Sequence, residues 1–132
     1  MAATGERMNG AARATAEKML EMFGGETLTL VLRAEQPEGD AAEMGYATHL
    51  PVTIDLPNVL AHVLYGMKWE LLIGAAAVED AMQRVAATDA AQLFEQCVQM
   101  RIGERVLTLD RAAAIPVGGA AYLYRVFAKE SE

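Results

Sequence analysis

The hydrophobic period of this chain changes at Gly24 and Gly25. Before them, Met8, Ala12, Ala16, Met19, Leu20 and Phe23 recur at spacings of three, four and seven, the period of a helix with one apolar face. Arg13, Glu17, Lys18 and Glu21 fall largely off that face. After the glycines, residues 27–34 (TLTLVLRA) alternate strictly. Leu28, Leu30 and Leu32 point one way, and Thr27, Thr29, Val31 and Arg33 the other, as in a strand buried on one side. A glycine pair is a natural helix stop. The helix is therefore expected from about Ala11 to Phe23, with residues 1–10, small, polar and holding two glycines, as a loose lead-in.

The rest of the chain reads as further strands with short helices between them. Residues 35–45 (EQPEGDAAEMG) form a polar hairpin tip, with Pro37 and Gly39 as turn formers. Residues 46–55 resume an extended pattern that Pro51 confines to an edge or splits. Residues 58–65 (NVLAHVLY) fit a buried strand or a short helix. Residues 69–73 (WELLI) read as a strand and 75–85 as a helix, and Thr88 or Asp89 caps a second short helix at 90–96. Residues 99–102 and 105–109 flank Gly103 and Glu104 as a hairpin, 110–119 read as irregular, and 121–128 (AYLYRVFA) as the closing strand. Strands do not alternate with long helices. The expected fold is one α+β domain over residues 1–132: an N-terminal helix, then a mainly antiparallel sheet or small β-barrel with one or two short helices. Residues 129–132 are a charged tail.

Composition narrows the function classes. With 132 residues and 53% apolar content a single core can form, although much of that content is alanine. The net charge of −7 argues against binding a nucleic-acid backbone or an anionic membrane. One cysteine permits no internal disulfide, and the first twenty residues carry no apolar run of signal-peptide length. The apolar runs at 71–78 and 115–123 are too short to span a bilayer.

No set of residues assembles a familiar chemistry. His49 and His62 stand apart without further ligands at metal spacing, and Cys97 lacks an activating neighbour. Glu79 and Asp80 are adjacent on a helix and so point in different directions; Glu95 and Glu104 make no better case. Gly24-Gly25 and Gly118-Gly119 match no phosphate-loop pattern. Arg101 and Arg105 flank a turn, where they either bind a carboxylate or phosphate or, the commoner case for a hairpin, are simply solvated. No catalytic, metal or cofactor residues are assigned. The segment singled out is 35–45: Glu35, Glu38, Asp40 and Glu43 with no positive charge, together with Pro37, Gly39 and an exposed Met44. It is either a solvated hairpin tip or an electrostatic latch for a basic patch on a partner or a neighbouring copy.

The two ends of the chain resemble small head–tail connector proteins of tailed phages and prophages, of the adaptor or head-closure type. In those an Ala-rich helix ends in a phrase like L-x-x-F-G and runs into a strand of the type T-x-T-L-x-R. Here the phrase is Leu20, Glu21, Met22, Phe23 and Gly24, followed by Thr27 to Arg33 (TLTLVLR). A polar insertion and an extended stretch follow, as residues 35–55 do here. The ending GGAAYLYRVFA is similar to their closing strand, a Gly-rich turn before Y-x-Y-x-V. The segment AAAVEDAMQRVAATDAAQLFEQC departs from the simplest connector pattern, which has fewer helices there.

The resemblance implies a non-enzymatic virion protein, made in the host cytoplasm. Its copies would form a closed ring between portal and tail, alongside other portal, adaptor or tail components, and present a loop to the next ring. Two other readings stand beside it. One is a barrel that binds a small molecule or catalyses a reaction, lined by Tyr46, His62, Tyr65, Trp69, Tyr122 and Arg125. The other is a cellular homo-oligomeric scaffold. The expected core is Met19, Leu20, Phe23, Leu28, Leu30, Leu32, Leu72, Leu107, Leu123 or Tyr122, and Val126.

Overall fold

The computed structural model describes residues 2–36 and 48–131. Helix α1 (Ala2–Phe23) leads into β1 (Glu26–Gln36), β2 (Thr48–Val63) and β3 (Lys68–Gly74). Helices α2 (Ala75–Arg84) and α3 (Ala90–Glu95) follow, then β4 (Cys97–Ile102), β5 (Arg105–Val117) and β6 (Ala120–Glu130). The strands close into a barrel in the order β1-β2-β3-β6-β5-β4, every neighbouring pair antiparallel. This is the small-barrel form of the expected α+β fold.

The alternating leucines of β1 set the inside of the barrel. Leu28, Leu30 and Leu32 are fully buried, and they meet Ile54, Leu56, Met100, Leu107 and Val126 from the other strands. On β3 the inward residues are Trp69, Leu71 and Ile73, so Leu72, expected in the core, lies on the outer face and is half-buried. α2 and α3 carry the chain from the end of β3 to the start of β4. They press Val78, Ala81, Leu93 and Phe94 into the core. Phe94 also packs against Tyr124, with ring centroids 6.2 Å apart. α3 starts as expected: Asp89 caps it by accepting from the Gln92 amide at 2.8 Å.

Two prolines in β2 are accommodated by the way the sheet closes. Pro51 lies opposite Arg33 in the half of β2 that pairs only with β1, an edge stretch of the kind that tolerates proline. At Pro57 and Asn58 two residues oppose the single Thr27 of β1, which is a bulge, and Asn58 takes a φ of 55°. The ambiguous stretch 58–65 continues as strand to Val63.

The structure corrects the reading in three further places. Residues 110–119 are not irregular: β5 runs through to Val117, with Asp110 as a bulged residue between the pairs Leu109–Ala128 and Arg111–Phe127. The bulge reverses the inside–outside alternation, and the alanines that follow carry little hydrophobic signal. The segment read as a loose lead-in is helical from Ala2. Its Asn9 is buried and donates to the carbonyls of Val117 and Ala120 at 3.1 and 2.8 Å, fastening α1 to the β5–β6 turn. Finally, only Ala16 and Leu20 of the apolar helical stripe are buried. Met8, Met19 and Phe23 are exposed, as is Met22, and Tyr122 and Leu123 are half-buried. The helix therefore turns part of its apolar face outward.

Gly24 stops α1 for a steric reason as well. A Cβ there would collide with the carbonyl oxygen of Leu20 and lie 2.9 Å from that of Asn58. The Gly24 amide instead donates to the Leu20 carbonyl at 2.8 Å.

Candidate interaction surfaces

Two unlike surfaces form on the outer face of the closed barrel. The first is an apolar groove of about 630 Å³ between α1 and the barrel. Its floor comes from outward residues in register: Leu60 of β2 opposite Leu72 of β3, with Leu123 of β6 opposite Gly74 beside them. Its wall is α1, with Ala12, Met19 and Phe23. Phe23 is 65% exposed, and Met22 next to it 67%. The wall is pinned by Arg13, which donates to the Ala121 carbonyl at 3.2 Å and forms a two-pronged ion pair with Glu79 of α2. That pairing holds the Arg13 guanidinium above its ordinary pKa through the hydrogen bond to Glu79.

The second surface is an open cleft of about 920 Å³ on β3, β6 and β5. Outward residues of β6 alternate as Arg125, Phe127 and Lys129. Lys129 has Lys68 opposite on β3 and Thr108 opposite on β5. The Asp110 bulge brings Arg111 over Phe127, with 4.4 Å from the guanidinium carbon to the ring centroid, and Arg125 approaches the same ring at 5.2 Å. Tyr65, 86% exposed, stands at the rim with Lys68 Nζ 6.0 Å from its ring centre. Among the described residues, the acidic ones lining the cleft are Asp110 and Glu130. Glu130 is occupied, accepting from Trp69 Nε1 at 3.1 Å and from Arg105 at 2.6 Å. Among the described residues Lys68, Arg111 and Lys129 form no ion pair.

The residues singled out in sequence are distributed as follows. Glu35 lies in β1 opposite His49. Pro37, Glu38, Gly39, Asp40, Glu43, Met44 and also Tyr46 lie outside the described residues. The other proposed barrel-lining residues do not converge. Tyr65 and Trp69 border the basic cleft and Tyr122 the apolar groove, His62 is exposed opposite Glu70, and Arg125 is outward and paired with Glu70 at 3.2 Å. The barrel interior is filled by apolar side chains instead. Arg105 binds Glu130, and Arg101 bonds to Gln99. Glu79 pairs with Arg13, and Asp80 with Arg84. The Cys97 thiol is half-buried, and burial pushes its pKa up to about 11, so it is protonated at neutral pH. Among the described residues no group of three or more His, Cys, Asp or Glu comes together, and no helix is long and apolar enough to cross a membrane.

Sequence reading missed both surfaces. The cleft had one visible signal, the alternation of Arg125, Phe127 and Lys129 along a strand, but Lys68 and Arg111 join it only through sheet register and a bulge. The groove was hidden because its residues look like core.

No protein-family model, no curated protein and no solved structure matches this chain.

Proposed function

We propose that this chain is a non-enzymatic ring subunit at the head–tail junction of a tailed-phage particle, seated between portal, adaptor or tail components. The observation that carries the reading is the apolar groove. Folding has closed the barrel, yet Met19, Phe23, Leu60, Leu72 and Leu123 remain together on its outside. Contiguous apolar surface of this kind belongs to proteins that cover it with a partner, and a ring subunit covers it with its neighbour. A second feature agrees. The two segments that resemble connector proteins, the N-terminal helix and the closing strand, are packed together through Asn9, Arg13, Ala120 and Ala121. That adjacency supports the reading.

The test is mass spectrometry of particles purified from an induced culture of the source organism. The expected result is this chain at a few to about a dozen copies per particle, the range of a closed cyclic ring. Intact tailed particles lacking it overturn the phage reading and leave a cellular homo-oligomeric scaffold. Sedimentation of the purified chain then separates those cases from a lone domain. Met19→Ser with Phe23→Ser, both at exposed positions, should lower self-association without unfolding the chain.

A further inference from the structure

We infer that the cleft on β6, bordered by Lys68, Arg111, Phe127 and Lys129, receives the acidic segment 37–47 of a second copy of this chain. The inference rests on the oligomeric reading above and names a contact within it.

Four observations lead to it. Lys68 and Lys129 are register partners on the same outward face. Like charges placed directly opposite one another disfavour a sheet unless an anion lies over them. Arg111 is brought to the same place by the Asp110 bulge, and bulges commonly re-aim a side chain toward a binding surface. Tyr65 and Phe127 supply flat apolar area beside the charges, a mixture that suits a peptide carrying both carboxylates and apolar side chains. The segment PEGDAAEMGYA has that composition: Glu38, Asp40 and Glu43 with Met44 and Tyr46. No Lys or Arg occurs between Arg33 and Lys68, so this acidic stretch and the cations Lys68, Arg111 and Lys129 of the cleft are complementary.

Topology decides that the contact is made between copies. In the barrel order β1-β2-β3-β6-β5-β4, β6 is the strand diametrically across from β1. The cleft lies beside the β2–β3 turn, whereas the acidic segment joins β1 to the other end of β2. Sixteen residues of β2 separate them, about 50 Å of strand. An eleven-residue segment held at both ends extends at most about 20 Å, so it cannot reach its own cleft. A donor on one side of the barrel and an acceptor on the opposite side give a heterologous contact, the kind that closes into a ring.

The test uses the full chain, a synthetic peptide of residues 35–47 and the emission of Trp69, the only tryptophan and a residue of the cleft wall. At low salt the peptide should produce a saturable change that weakens as salt rises. Changing Glu38, Asp40 and Glu43 of the peptide to lysine should weaken binding tenfold or more. That arm cannot fail through misfolding of the chain. The chain carrying Lys68→Glu, Arg111→Glu and Lys129→Glu should lose the native peptide and take up the lysine peptide. Two results overturn the inference: no response to the native peptide at any salt, or tighter binding of a single-stranded oligonucleotide than of the peptide, which makes the cleft a nucleic-acid site. If the chain self-associates and occurs in particles without binding the peptide, this inference fails alone. If the peptide binds with charge-swap rescue but particles lack the chain, the phage reading fails and the inference stands.

Discussion

The indole N–H of Trp69 donates to Oε2 of Glu130 at 3.1 Å, while Arg105 holds Oε1 of the same carboxylate at 2.6 Å. Trp69 is the second residue of β3 and Glu130 ends β6, so the contact ties the end of the closing strand to the barrel wall. It lies at the border between core and cleft. Trp69 is 8% exposed, and the Arg105 guanidinium carbon lies 5.8 Å from its ring centre.

This arrangement predicts an acid-range transition visible in Trp69 emission. The indole hydrogen bond, and then Arg105, hold the Glu130 carboxyl below the usual carboxylate range. A group depressed in the folded state stabilises the fold above its unfolded pKa and loses that contribution as pH falls through its folded pKa. The emission should therefore shift at a pH below the ordinary glutamate value, with the native fold weakening in the same window. In Glu130→Gln the acid transition should disappear. Persistence of the transition in that variant would assign it to another carboxylate.

Leu30 and Phe23 provide opposite outcomes within one apolar stretch of sequence. Leu30 is fully buried, so Leu30→Ala should cost roughly 2–5 kcal/mol in urea unfolding. Phe23 is largely exposed, so Phe23→Ala should stay within about 0.5 kcal/mol. Equal losses at both positions would mean that α1 seats its apolar stripe in the core after all.

Asn9 should matter more than a helical asparagine normally does. Asn9→Leu removes the donor to the Val117 and Ala120 carbonyls, and should destabilise by about 1–3 kcal/mol. Hydrogen exchange should show faster opening of the first half of α1 and of the β5–β6 turn together. Unchanged protection at the turn would separate the two elements energetically.

Two glycines of α1 and its stop should respond to alanine with opposite signs. Gly10 has open space around its Cα, so Gly10→Ala should stabilise by about 0.5–1 kcal/mol through helix propensity. Gly24→Ala places a Cβ against the carbonyls of Leu20 and Asn58 and should lower the thermal midpoint clearly. A neutral effect at Gly24 would show that the junction relaxes freely.

The capped start of α3 offers a calibrated local test. Asp89→Ala removes the acceptor for the Gln92 amide and should cost about 0.5–2 kcal/mol. Asp89→Asn should recover most of it, because asparagine caps as well.

Much of this architecture is local, and local chemistry is legible in sequence. The change of period at Gly24 and Gly25, the alternation of Leu28, Leu30 and Leu32, the Asp89 cap and the Gly103 turn all act within a few residues, and each named its element. The tertiary structure decided what depends on register and on direction of approach. Leu71 faces inward and Leu72 outward because β3 is locked between β2 and β6, and neither leucine carries that information. α1 is fastened to the β5–β6 end by Asn9 and Arg13, and its stripe of helical period is only partly buried, with Phe23 left outside. A single bulge at Asp110 inverted the alternation of β5 and brought Arg111 over Phe127. The surfaces that carry the functional reading are made of residues distant in sequence, so they exist only once the barrel has closed.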